Sequence, residues 1–491
     1  MDEGEGAARV TSPTTRLAVL ALAAALAALA YAFPLPGIPE AGRRMTAVMM
    51  VVVTLWIAEA LPLAVTALLG PALAVVVGVA TAEQAFAAFG NPIIMLFIGS
   101  FLIARVTFKH GLSERIAYRV LSLPMLGNSP TRAFVFLGFT TAALSAWMSN
   151  TAVTAMMLPI AQSVLLAMLG GERGAAPKTF AAAFVLIVSY SASVGGLFTP
   201  VGTPPNLIGI GLIEQATGHR IGFGEWIAAV FPVTLLTLVV MIGYLAFSFR
   251  REAATFVFDR AQMVARYAAL GAWRPVERRV ALALLTVALL WIVPPLAELL
   301  LGPPAAVLAR HLPESVAPVL VAVVLFWLGE SRGSARPIME LRDLAAIDWP
   351  VVVLFGGGMC LGQLMMQSGL TAALGTTLAA YVPAGNSPAL VFVVCLLAVA
   401  VSETTSNTAS ANMVVPVVIA ISQQVGADAV GLGIAATAAC TFGFMLPVST
   451  PCNALAFSTG FVTQRQMIRY GIVLDVIGIA LLTLWFGYVV R

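Results

Sequence analysis

The sequence predicts an all-α polytopic membrane protein made of two inverted repeats, with about eleven transmembrane helices and two re-entrant hairpins. Three observations carry this expectation. The chain of 491 residues is 60% hydrophobic and only 10% charged, with a mean hydropathy of +0.98; soluble domains average about 25% charged residues. Apolar segments long enough to span a hydrocarbon core of roughly 30 Å recur along its whole length, and the short alternating strands of a β-barrel are not visible. Finally, three landmarks recur in the same order. Pro92, Leu96-Phe97, Gly99 and Gly111-Leu112 return as Pro350, Leu354-Phe355, Gly357 and Gly369-Leu370; Ser149-Asn150-Thr151 returns as Ser406-Asn407-Thr408; and Pro-Val-x-Thr-Pro-x-Asn occurs at Pro200 and again at Pro447.

Apolar runs and their breaks order the elements. Residues 1–44 hold a polar, acidic N-terminal segment and a first helix near 16–34, read as a spanning helix and not as a removed signal peptide. The first repeat, 45–250, has helices near 45–61, 63–80 and 90–107, then an amphipathic segment from Ser113 to Leu123. A hairpin over 131–169 follows, then a broken helix over 179–213 and a helix near 226–249. A cytoplasmic basic loop spans 251–278. The second repeat, 279–491, has helices near 279–301, 315–329 and 349–366, a hairpin over 387–422, a broken helix over 428–459 and a last helix near 468–490. Five spans per repeat, an odd number, insert the second repeat upside down. With the N-terminus cytoplasmic and the C-terminus outside, the predicted inner loops hold 21 of the 26 basic residues, as the positive-inside rule requires. That bias is lost if either hairpin crosses the membrane completely.

Polar groups at membrane depth are costly unless they bind something. The two tripeptides open stretches alike at six of eleven positions, including Met156 and Met413, Pro159 and Pro416. Either one alone is readily explained as interhelical glue; the duplication argues for a ligand. With the two Thr-Pro-x-Asn breaks they make four helix interruptions, tolerated in lipid where they line a cavity. Half-helix N-termini favour an anion, and carbonyls ending the preceding half can hold a small cation. No Arg or Lys lies within the motifs, so neutral donors such as Asn150, Thr151, Asn407 and Thr408 must meet any carboxylate. Two matched tips suit a ligand with two anionic ends, such as a C4 dicarboxylate, with bound cations supplying positive charge.

Other features read more plainly. Cys360, Cys395, Cys440 and Cys452 lie in apolar stretches without metal-ligand spacing, and His110, His219 and His311 are scattered. The modest net charge of +4 reflects topology, not nucleic-acid binding. Gly356-Gly357-Gly358 is read as close helix packing, because no phosphate-loop Lys follows. Glu403 either shapes the site or faces cytoplasmic water. Glu59 and Asp475 are intramembrane acids for which a structural or interfacial role competes with a proton relay.

At these residues the chain resembles the divalent-anion:sodium symporter family of di- and tricarboxylate transporters, from about residue 45 to the end. The resemblance implies one Na⁺ bound by Ser145, Ser149, Asn150 and the backbone of Gly202, and a second bound by Ser402, Thr405, Asn407 and the backbone of Ser449. Substrate carboxylates would be met by Asn150 and Thr151 on one side and by Ser406, Asn407, Thr408, Thr450 and Pro451 on the other. It also implies a homodimer whose protomers each pair a scaffold domain with a transport domain moving as an elevator. Cys452, where the first repeat has Pro205, departs from the repeat pattern and bears on selectivity. The short central loop favours the carboxylate branch over sulfate-carrying relatives. The expected function is Na⁺-coupled import of C4 dicarboxylates (succinate, malate or fumarate) across the cell's inner, or plasma, membrane. The alternatives are a Na⁺-independent dicarboxylate exchanger and, more remotely, a channel or membrane enzyme.

Overall fold

The computed structural model describes residues 13–169, 178–301, 311–382, 385 and 387–490. Residues 1–12 of the N-terminal segment, and the loop charges Arg9, Arg173, Arg310 and Arg491, lie outside them. Among the described residues the fold is helical, with a single isolated bridge between Gly329 and Pro337. Among the described residues, eight helices are long and apolar enough to cross a membrane, the first being Thr14–Ala32 and the last Gln464–Val489. Shorter apolar helices, among them Leu63–Val76 and Ala317–Trp327, lie between them.

Local sequence sets the helix ends. The first hairpin comprises Pro130–Ser145 and Asn150–Met168, and the second Pro388–Thr404 and Asn407–Gln424. Each opens on a Ser-Pro pair: Ser129 accepts from the Arg132 N–H and Ser387 from the Leu390 N–H, with Pro at the first helical position, where its missing N–H has no intrahelical acceptor to lose. The first broken helix is Lys178–Gly195, a 3₁₀ turn over Gly196–Phe198, and Pro204–Thr217; the second is Ala429–Ala439 and Pro451–Ser458. The two Gly-Leu landmarks also have a cause. Gly111 and Gly369 adopt φ of 73° and 78°, a left-handed conformation that ends one helix and starts the next at little cost only for glycine.

The halves exchange supports. Pro204–Thr217, from the first break, packs on Asn407–Gln424 of the second hairpin and on Ala429–Ala439. Pro451–Ser458, from the second break, packs on Asn150–Met168 of the first hairpin and on Lys178–Gly195. Glycine permits the close approaches: a Cβ on Gly209 would overlap the Thr437 side chain. The glycine run is likewise a packing feature, because a Cβ on Gly357 would overlap the Ala67 backbone and one on Gly356 the Phe89 ring.

The central basic segment, expected as a loop, is folded. Asp259 caps a helix over Arg260–Ala269 by accepting from the N–H groups of Ala261 and Gln262. Arg115, from the amphipathic helix Leu112–Leu121, reaches into this segment with its side chain only 2% exposed. It pairs with Glu277 at 3.0 Å and donates to the carbonyls of Gly271 and Leu270. Arg266 extends the contact to the first hairpin by donating to Ser163 Oγ at 2.7 Å. Charge density reads as a solvated loop in a sequence; buried partners make it a docked element here.

Candidate functional site

The two asparagines of the tripeptides sit at the start of the second hairpin arms, each facing a serine five residues earlier. Asn150 Oδ1 lies 2.6 Å from Ser145 Oγ, and Asn407 Oδ1 lies 2.8 Å from Ser402 Oγ. Each serine hydroxyl also points at a carbonyl of the facing broken helix: Ser145 at Ala192 O, 2.8 Å, and Ser402 at Cys440 O, 2.6 Å. A hydroxyl has one proton, so each cluster holds more acceptors than hydrogens.

The surplus is largest in the first half. Asn150 Oδ1 stands 3.1 Å from Ala192 O and 3.2 Å from Gly202 O as well as against Ser145 Oγ. Turning the amide over would place Nδ2, with its two protons, within reach of all three, while Oδ1 accepts from Thr203 Oγ1. With the nitrogen inward the cluster is satisfied by its own donors; with the oxygen inward it presents only acceptors, the arrangement a cation would need. In the second half Asn407 Nδ2 is committed to Thr441 O at 3.2 Å, which holds Oδ1 toward Ser402. Gly443 closes this cluster. A Cβ there would overlap Ser449 Oγ and stand 3.2 Å from Asn407 Oδ1 and 3.3 Å from Ser402 Oγ, so the missing side chain leaves a cradle lined by three oxygens. Gly196 matches it in the first half, where a Cβ would overlap the Asn150 amide. Oxygen-only sets of this kind suit a hard cation, not a soft metal.

The Thr-Pro-x-Asn motif has a structural cause. Asn206 Nδ2 donates to Gly196 O at 2.9 Å and Thr199 O at 2.8 Å; Asn453 Nδ2 donates to Gly443 O at 2.8 Å and Leu446 O at 3.0 Å. Each amide thus ties down the carbonyls that a helix leaves unpaired where it breaks. Thr450 caps the half-helix that follows, accepting from the N–H groups of Cys452 and Asn453. Pairing Gly196 with Asn206 and Gly443 with Asn453 shows a second repeated spacing, glycine ten residues before asparagine, which the sequence reading passed over.

Burial separates the residues into two groups. Ser145, Gly202, Ser402, Thr405, Asn407 and Ser449 are buried, whereas Ser149, Asn150, Thr151, Ser406 and Thr408 are half-buried and Pro451 is exposed. Ser145, Asn150 and Gly202 meet in one cluster and Ser402, Asn407 and Ser449 in the other. Thr405 and Ser406 turn elsewhere: Thr405 Oγ1 donates to Val401 O, and Ser406 Oγ accepts from the Ala409 N–H. The halves meet at Cys452, whose thiol lies beside Thr151 and Thr154 of the first hairpin and Thr450 of the second break. Sequence reasoning left Glu403 open; it is buried and its carboxylate accepts from the N–H groups of Met445 and Leu446.

A helical membrane protein whose polar side chains gather at broken helices has the architecture of a solute carrier. The model of the family described as "Sodium:sulfate symporter transmembrane region" matches residues 14–490, and the chain belongs to that family. It is a multi-pass membrane transporter, not an enzyme. It is similar to an uncharacterised transporter of Haemophilus influenzae, 32% identical over 453 residues and covering 90% of each chain. It is also similar to the sodium-dependent dicarboxylate transporter SdcS of Staphylococcus aureus, 30% identical over 92% of this chain and 86% of that one. Among solved structures it resembles in fold the YdaH transporter of Alcanivorax borkumensis, with a TM-score of 0.57 at 17% identity over 96% and 97% of the two chains. MtrF of Neisseria gonorrhoeae follows, with a TM-score of 0.56 at 14% identity over 96% and 94%.

Proposed function

We propose that this protein imports C4 dicarboxylates of the succinate, malate and fumarate type together with Na⁺ across the plasma membrane. The observation that carries the reading is the duplicated oxygen cluster: Asn150 with Ser145 and Gly202, and Asn407 with Ser402 and Ser449, each directly behind a half-buried polar tip. The buried oxygens receive the cations. Asn150 and Thr151 from one half, and Ser406, Asn407, Thr408, Thr450 and Pro451 from the other, meet the two carboxylates of the substrate. Ser149 and Thr405 complete the two Na⁺ shells through the rest of their polar atoms. Coupling follows from charge. Neutral donors compensate a dianion poorly, and cations a few ångströms away make up the difference, so substrate binds well only after Na⁺. The dicarboxylate substrates of the SdcS relatives point the same way.

In this reading the repeats are inverted, both hairpins are re-entrant, the N-terminus is cytoplasmic and the C-terminus is outside. The protein works as a homodimer, each protomer moving its hairpins and broken helices as one transport domain against a scaffold. The test is uptake of labelled succinate into proteoliposomes with and without a Na⁺ gradient. Wild-type protein should require inward Na⁺, and Asn150→Ala or Asn407→Ala should abolish uptake. Transport that survives both substitutions sinks the site assignment. Full-rate exchange in Na⁺-free buffer that needs internal dicarboxylate decides for an exchanger.

A further inference from the structure

The hairpin and the broken helix are joined in each half at matched positions, but the joints are chemically reversed. In the first half Thr199, on the break, donates its hydroxyl to the backbone carbonyl of Ala146, on the hairpin turn. The repeat places Glu403 where the first half has Ala146, and Leu446 where it has Thr199. In the second half the side chain therefore comes from the hairpin and the backbone from the break. Glu403 Oε1 accepts from the Met445 N–H at 2.7 Å and Oε2 from the Leu446 N–H at 3.2 Å. The first joint is one neutral hydrogen bond, the second a two-pronged, charge-assisted clamp, and such bonds are the stronger kind.

The clamp acts on the segment that forms the cation cradle. Leu446 O, on the clamped peptide segment, accepts from the Ser449 N–H at 3.3 Å and from Asn453 Nδ2 at 3.0 Å. Ser449 Oγ in turn donates to Gly443 O at 2.6 Å, across the cradle from Asn407 and Ser402. At the other end Glu403 directly follows Ser402, whose hydroxyl faces the same cradle. Glu403 is 3% exposed, and Asp475, equally buried, lies within hydrogen-bond reach of it, so that the two carboxyls can share one proton. Beside the Asp475 carboxyl, the Glu403 carboxylate is held by the N–H groups of the break, and these tie the spacing of break and hairpin together.

We propose that Glu403 is a positioning residue for the second Na⁺ site: it sets the distance between the Ser402–Asn407 side and the Ser449 side of the cradle. The inference rests on the Na⁺-coupled reading above. It is tested with the full-length protein purified in detergent, by the rise in melting temperature as Na⁺ replaces choline at constant ionic strength, without substrate. Succinate uptake in proteoliposomes is measured alongside. Glu403→Gln keeps the shape but loses one acceptor, and should raise the Na⁺ concentration for half-maximal stabilisation about tenfold. It should also lower the Hill coefficient for Na⁺ in uptake, while the succinate KM at saturating Na⁺ stays near wild type. Glu403→Asp, which keeps the charge, should recover part of the shift. A lower melting temperature with an unmoved Na⁺ midpoint makes Glu403 merely structural and overturns the proposal. If Glu403→Gln does not fold, Glu403→Asp carries the test, and an unmoved midpoint there overturns it equally. A wild-type protein that shows no Na⁺-dependent stabilisation refutes the Na⁺ reading itself, a result distinct from an unmoved midpoint in the variants.

Discussion

At the scale of single residues, the site is a matter of counting protons. Asn150 faces three oxygens that have a single hydroxyl proton among them, and its amide must either turn or meet a cation. Gly443 is the most sensitive position in the second cluster. Gly443→Ala drives a methyl into the Ser449 hydroxyl, so Na⁺-dependent stabilisation should weaken sharply; the same melting assay reads this, and a wild-type Na⁺ response disproves the cradle. Asn206 and Asn453 are supports. Replacing Asn453 by Ala removes one of the two donors that each of the Gly443 and Leu446 carbonyls has, and should cost about 1–2 kcal/mol, seen as a lower melting temperature. Tripeptides and breaks were legible because Ser, Asn, Thr and Pro stand out in apolar runs and recur. Glu403 stood out as a buried-looking acid, but its role did not, since its counterpart is Ala146 and repetition gave no signal. The glycines of the cradle were equally silent, because a missing side chain has meaning only once the neighbours that would meet it are in place.

At the scale of elements, charged segments hold the fold together at the loops. Arg115 and Glu277 are both nearly fully buried, and removing one member of such a pair leaves an uncompensated charge. Glu277→Ala should cost about 3–5 kcal/mol and expose the Arg260–Ala269 helix to protease; unchanged proteolysis rates argue against docking. Asp343 ties the end of Pro92–Lys109 to the short helix Leu341–Ala345, with Lys109 Nζ at 2.6 Å. Burial pushes the Asp343 carboxyl up, but Lys109, the Glu340 N–H and Arg105 outweigh it, and its pKa ends below the ordinary carboxylate value. A lowered pKa stabilises the folded state above the unfolded value, and that contribution disappears as pH falls through the folded value. The melting temperature of wild type should therefore drop below about pH 4 more steeply than that of Asp343→Asn; parallel curves refute the link. Helix starts such as Ser129-Pro130 and Ser387-Pro388 could be read locally, because capping is a contact within one turn. The folded central segment could not, because the partners that dock it, Arg115 for Glu277 and Ser163 for Arg266, lie more than a hundred residues away in the chain.

At the scale of the whole molecule, each half supplies the bed on which the other half's broken helix rests. Ser189 Oγ meets Asn453 Oδ1 at 2.7 Å and the Tyr190 hydroxyl meets Phe444 O at 2.8 Å, so the first half carries hydrogen bonds that fix the second break. Residues 1–250 expressed alone should be degraded, whereas the same fragment co-expressed with 251–491 should co-purify as a pair; a stable, lone first half contradicts this interdependence. The duplication was readable from three ordered landmarks, but the crossing of supports was not, since sequence similarity relates the repeats without saying which touches which. The crossing also governs how such a protein can change under selection. A substitution that shifts Pro204–Thr217 disturbs the floor beneath the second hairpin before it reaches its own tip, and the reverse holds for Pro451–Ser458. Neither binding half can specialise in isolation, so the two copies diverge as partners, each new residue on one side screened by the fit it leaves on the other.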